Sequence, residues 1–277
     1  MSKRGYVFTA IMVAMLVLGA RAFAGPLVEP KSGNAEAQKL IDQAWTLDHT
    51  DSSAQIYKQC SSLLEQAAKL DPNNQDMQSE LSRYLWEYAN RMPKETKDQQ
   101  KFLVGIYTKG LVAAEQSVKL KETPAGHYWL AVNKSASLEF SSIVEQAAGF
   151  PTIIRNSNWV RDHEPSYYFG ANGRLLTEIL TRVPKIVVRM VGWNPQDSLD
   201  RITTAIKEEP KYFDNYLYKA RFLYVYYENK DEALKILDYE LKQDSNAMPS
   251  EVVANKSSQR DARELWKKIT GKEYPNK

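Results

Sequence analysis

The 277-residue chain has a single cysteine, Cys60, and only three histidines. One thiol can form neither an internal disulfide nor a thiolate metal cluster. No Gly-x-Ser-x-Gly, His-Glu-x-x-His or paired-cysteine motif occurs, so no motif assigns a catalytic residue, a metal site or a cofactor. The missing motifs still leave activity open. Glycine is scarce, at 12 of 277 residues, about 4% against an ordinary roughly 7%. Excess charge of one sign is missing too: 37 Lys and Arg face 34 Asp and Glu. Residues 1–24 carry Lys3, Arg4 and Arg21 and no acid, so the remainder holds 37 − 3 = 34 bases against 34 acids. That balance argues against a nucleic-acid binder, which needs net or clustered positive charge to displace phosphate counterions. Hydrophobic residues, at 43%, suffice for a packed core and exclude a disordered chain.

What is present begins with an export signal. Lys3 and Arg4 precede an apolar run from Val7 to Gly19, and Ala22-Phe23-Ala24 supplies small residues before a cut at Gly25. About 13 apolar residues fall short of the roughly 20 that span a bilayer, and no later segment qualifies as a membrane anchor. Gly25, not cysteine, stands directly after the cut, so no lipid anchor is indicated. The expected organisation is a signal peptide over 1–24, a flexible lead over 25–34, a helical body over 35–271 and a tail over 272–277. The expected location is the periplasm or the medium.

Apolar residues in the body recur at three- and four-residue steps. The pattern predicts about ten helices, near 35–47, 52–70, 75–91, 96–120, 125–147, 168–182, 196–207, 213–228, 231–243 and 250–270. Thr123-Pro124 and Asn194-Pro195 place a capping side chain before proline at the first helical position. Asp71-Pro72 and Glu209-Pro210 end helices, because the residue before proline is pushed out of the helical region. The fold class is all-α. Cys60, Leu64 and Ala67 form a small–large–small stripe, repeated by Ser198, Ile202 and Ala205 and, without the following proline, by Gly110, Ala114 and Ser117. Small side chains on one stripe let a neighbouring helix approach closely, as stacked helical hairpins require.

These residues carry a resemblance. Gln66-Ala67-Ala68-Lys69-Leu70-Asp71-Pro72 and Thr204-Ala205-Ile206-Lys207-Glu208-Glu209-Pro210 resemble the second helix of a tetratricopeptide (TPR) repeat. His127-Tyr128-Trp129-Leu130-Ala131 resembles the start of its first helix, and residues 229–237 resemble a further turn and second helix. The match covers about 70% of the chain after the expected cut, in degenerate form. With Tyr168-Phe169-Gly170-Ala171-Asn172-Gly173-Arg174, the chain is also similar to periplasmic TPR proteins associated with TRAP-type solute transporters. That resemblance implies a TPR-like solenoid, pairing with a solute-binding protein, and a channel for an apolar or organic-acid ligand.

Trp159-Val160-Arg161-Asp162-His163-Glu164 is the densest polar cluster and reads as part of an irregular stretch over 149–167. It is either a solvated loop or a site for acid/base work or one metal ion, with an enzyme centred on Arg161, His163 and Glu164. Gly170-Ala171-Asn172-Gly173-Arg174 reads as a tight structural turn capped by Asn172, with anion binding as the alternative. Eight aromatics crowd residues 212–227. Phe213, Tyr216, Leu217, Ala220 and Tyr224 form a core face, leaving Tyr218, Phe222 and Tyr226 to point elsewhere. Residues 186–193 are an apolar link, either a lid or a buried strap. The expected function is a non-catalytic, exported scaffold or adaptor. Its groove would take a protein segment from the cell envelope or a small organic ligand at Tyr128, Trp159, Arg161, Tyr168, Arg174, Asn215 and Tyr216. The alternatives are an accessory of a TRAP-type transport system and an enzyme.

Overall fold

The computed structural model describes residues 27–50 and 53–275. The expected signal peptide lies outside them. The described residues are all-helical, with twelve α-helices: α1 Ala35–Asp48, α2 Ala54–Leu70, α3 Gln75–Asn90, α4 Lys97–Leu120, α5 Pro124–Ser137, α6 Ile143–His163, α7 Tyr167–Arg182, α8 Lys185–Met190, α9 Pro195–Glu208, α10 Asp214–Val225, α11 Lys230–Leu241 and α12 Val252–Thr270. None of these helices is long and apolar enough to cross a membrane.

Local chemistry sets most boundaries. Asn34, Ser53, Asn74, Thr123, Asn194 and Asn229 each accept an amide hydrogen from the first turn of the helix they precede. Thr96 with Gln99, and Ser142 with Glu145, make reciprocal capping boxes for α4 and α6. Gly271, in the left-handed region at φ 72°, closes α12.

Short links fold successive helices back on one another. From α1 to α7 each helix packs on the next, and α9, α10, α11 and α12 continue the series. A second set of contacts skips along the chain: α3 on α5, α5 on α7, α7 on α10 and α10 on α12. The small-residue stripes lie at the tight approaches. Cys60 and Ala67, Ser198 and Ala205, and Ala114 and Ser117 are all buried. Cys60 Sγ donates to Ala44 O on α1 at 3.3 Å, and Ser117 Oγ donates to Gln75 O at the start of α3 at 2.8 Å.

Three expectations need correction. The helix expected over 125–147 breaks at 138–142, because Ser142 and Glu145 cap a new helix there. The stretch 149–167, read as irregular, is helical as far as His163. Gly149 and Pro151 are breakers locally, but Phe150, Ile153 and Val160 are buried on one face, and Gly149 admits the side chain of Leu138. Phe222, expected to point away from the core, is fully buried beside Leu180 and Val188, because α10 is covered on two sides. The link 186–193 carries the short helix α8, with Val187 and Val188 buried and Ile186 and Met190 exposed.

Candidate functional site

The site begins with a strained turn. Tyr168 (φ 43°, ψ 57°), Phe169 (φ 54°, ψ 41°) and Gly170 (φ 78°, ψ 31°) form a left-handed start to α7. Bulky residues avoid this region at a cost of roughly 1–2 kcal/mol each, so the surroundings must enforce it. One turn on, the Arg174 guanidinium donates from Nη2 to Tyr168 O at 2.7 Å and from Nη1 to Phe169 O at 3.0 Å. Asn215 on α10 completes the latch: its Nδ2 donates to Phe169 O at 3.0 Å, and its Oδ1 accepts from Arg174 Nη1 at 2.7 Å. The guanidinium carbon also lies 5.2 Å from the Tyr168 ring centroid and 4.7 Å from that of Tyr212. Glycine is required here for a second reason. A Cβ at Gly173 would meet the backbone of Ile202 on α9 at 2.9 Å, so the expected close backbone approach holds. Asn172 does not cap the turn: it is buried and accepts a hydrogen bond from Ser157 Oγ.

Arg174 forms part of the wall of a recess between α3, α5, α6, α7 and α10, with a cavity volume of about 90 Å³. Trp86, Tyr128, Val132, Phe150, Ile153, Leu175 and Ile179 supply its apolar lining. Its polar edge holds Arg174, Tyr218, Glu178, Arg182 and Glu139. Five charged groups at or near this edge form a chain. Arg221 donates to Glu178 at 3.0 Å, Arg182 donates to Glu178 at 2.6 Å and to Glu139 at 3.1 Å, and Lys94 donates to Glu139 at 2.6 Å. Burial alone would raise the Glu178 carboxyl, but Arg221 and Arg182 outweigh it and hold the group below its usual range. Burial pushes the Tyr128 hydroxyl up to about 12, so it stays protonated and able to donate. The Tyr218 hydroxyl is likewise pushed up by burial, although its side chain keeps some solvent contact. That combination fits the wall of a recess rather than a sealed core.

The candidate residues therefore divide. Tyr128 and Arg174 line the recess, Tyr168 flanks the guanidinium, and Asn215 latches it. Trp159 lies elsewhere, in an open groove of about 580 Å³ formed with Trp193, Arg155 and His163. Its ring is sandwiched between His127 (centroids 4.1 Å apart) and His163 (3.8 Å). Arg161 pairs with Asp162 at 2.6 Å, and both are exposed. Arg161, His163 and Glu164 are not brought together: a ring nitrogen of His163 bonds Trp159 O at 2.8 Å, and the Glu164 N–H donates to Val160 O at 2.8 Å, closing α6. Tyr216 is buried outside the recess, donating to Pro210 O at 3.1 Å and facing Tyr239.

Sequence reasoning passed over Trp86, Glu139, Glu178 and Arg182. The four-residue step from Glu178 to Arg182 was the available signal, but surface pairs share that spacing. It also missed a buried ion cluster on α3, where Arg83 bonds Glu80 and, across to α1, Asp48. No model of a known protein family matches the sequence, and no curated protein matches it.

Proposed function

We propose that the chain is a non-catalytic, exported scaffold of stacked, TPR-like helical hairpins, and that the recess beside Arg174 is its binding site. The alternating contacts support the stacked reading: from α1 to α7 and from α9 to α12 each helix packs on the next, and α3, α5, α7, α10 and α12 pack on one another in series. The observation that carries the binding reading is the recess itself, an apolar lining with a few convergent polar groups. Its 90 Å³ is smaller than the roughly 150 Å³ apolar cavity that accepts benzene. It therefore suits a small organic ligand or one side chain of a protein segment from the envelope.

A solute-capture role beside a TRAP-type transporter is the second reading, favoured by the partly enclosed apolar wall. Affinity capture from the native envelope, with mass spectrometry of proteins and small molecules, separates the two. A co-purifying protein segment supports the adaptor and a retained solute supports the accessory. Loss of neither cargo on Tyr128→Ala counts against the recess in both.

A further inference from the structure

Arg174 is a buried cation, 4% exposed, with no carboxylate oxygen within 4.0 Å among the described residues. The other cation lining the recess, Arg182, is neutralised by Glu178 and Glu139. The Asp214 carboxyl attracts the guanidinium from beyond 4.0 Å, without contact, and is engaged by the Tyr212 hydroxyl at 3.4 Å. A desolvated charge without a counterion is costly, and flanking Tyr168 and Tyr212 rings offset only part of that cost. Nor does the latch use the whole group. A guanidinium carries five N–H donors. Tyr168 O, Phe169 O and Asn215 Oδ1 take three, leaving Nε–H and one Nη2–H without a protein acceptor.

We infer that the recess takes a short monocarboxylate, its carboxylate accepting the two spare N–H groups of Arg174 and its aliphatic tail lying against Ile153, Leu175 and Ile179. This inference rests on the binding role proposed for the recess. Two observations narrow the chemistry. Of the two cations lining the recess, Arg182 is held by Glu139 and Glu178, and only Arg174 has no carboxylate oxygen within 4.0 Å. One negative charge completes that cation, whereas a dianion would face the two glutamates. The wall beyond Arg174 is apolar, which selects an alkyl tail over a hydroxylated one. A planar carboxylate meets a guanidinium through two parallel hydrogen bonds, a geometry that an amide cannot match with charge.

The test titrates the intact protein with butanoate and with butanamide, nearly equal in shape and different in charge. Calorimetry should show butanoate binding about tenfold or more tightly, and the Nε–H resonance of Arg174 should move with butanoate alone. Arg174→Gln should abolish the preference, but this change also opens the strained turn. Ile179→Phe is therefore the second variant, since it fills the recess and leaves the latch intact; it should lose butanoate while keeping wild-type circular dichroism. Equal affinity for acid and amide would overturn the carboxylate assignment and leave the recess as a binding site. Undiminished butanoate binding to Ile179→Phe would place the ligand elsewhere and overturn the inference. Binding of neither probe would overturn it too, while the capture experiment on Tyr128→Ala still decides the wider role.

Discussion

Arg174 and the residues around it show how much one side chain can organise. Three successive left-handed residues, two of them aromatic, persist because Arg174 and Asn215 hold their carbonyls. Glycine positions test this directly. Gly170→Ala should destabilise by at least about 3 kcal/mol, since it combines a positive φ with a close approach to Ala205. Gly192 has a similar φ of 68° but open space around it, so Gly192→Ala should cost only about 1 kcal/mol. Urea unfolding of the two variants measures the gap, and equal losses would remove the packing argument. The glycines marked a turn in the sequence, but its left-handed start was not legible. Tyr168 and Phe169 carry no left-handed propensity, and the partner that fixes them, Asn215, lies more than 40 residues away. Gly173 was legible as a close approach because only a missing side chain fits one.

Individual helices follow local chemistry where caps exist and tertiary packing where they do not. The starts at Thr123-Pro124 and Asn194-Pro195 are readable because cap and proline act within one turn. The continuation of α6 through Gly149-Phe150-Pro151 is not readable, because burial of Phe150 and Ile153 overrides two breakers. Pro151 is exposed and removes one helical hydrogen bond, so Pro151→Ala should stabilise the protein by about 1–3 kcal/mol. A thermal midpoint unchanged or lowered in that variant would show that the proline ring makes a contact the helix needs.

The α11–α12 interface carries a pH signature. Glu240 is fully buried, its Oε1 accepts from Ser258 Oγ at 2.9 Å, and its Oε2 has no hydrogen-bond partner. Burial raises its carboxyl to about 8; Asp214 and Asp261 add to the rise, while Ser258 and Arg263 oppose it. A folded-state value above the unfolded one means that the native protein holds the proton longer. Stability from this group is therefore greatest below about pH 4.5 and falls as the pH rises toward about 8. Glu240→Gln should flatten that slope and raise stability at pH 8 relative to wild type, as urea midpoints between pH 5 and 8 would show. An unchanged slope would mean that other groups set it.

The whole molecule uses different helices for different work. α3, α5, α6, α7 and α10 contribute to the recess, and α2, α4 and α9 bury their small-residue stripes. The helical class was legible because the 3.6-residue pattern repeats through the body. The recess was not, because its lining comes from five helices whose sequence spacing says nothing about which side chains meet. This is why Tyr128, Trp159 and Tyr216, alike as candidate binding residues, fall in three different environments.

That separation gives the decisive measurement. Cargo captured from the native envelope would be quantified for wild type, Tyr128→Ala, Trp159→Ala and Tyr216→Ala at matched folded fraction. Binding in the recess predicts about a tenfold loss for Tyr128→Ala, the order expected for truncating a buried aromatic anchor, with the other two near wild type. Wild-type capture by Tyr128→Ala, or a loss only with Trp159→Ala, would contradict it.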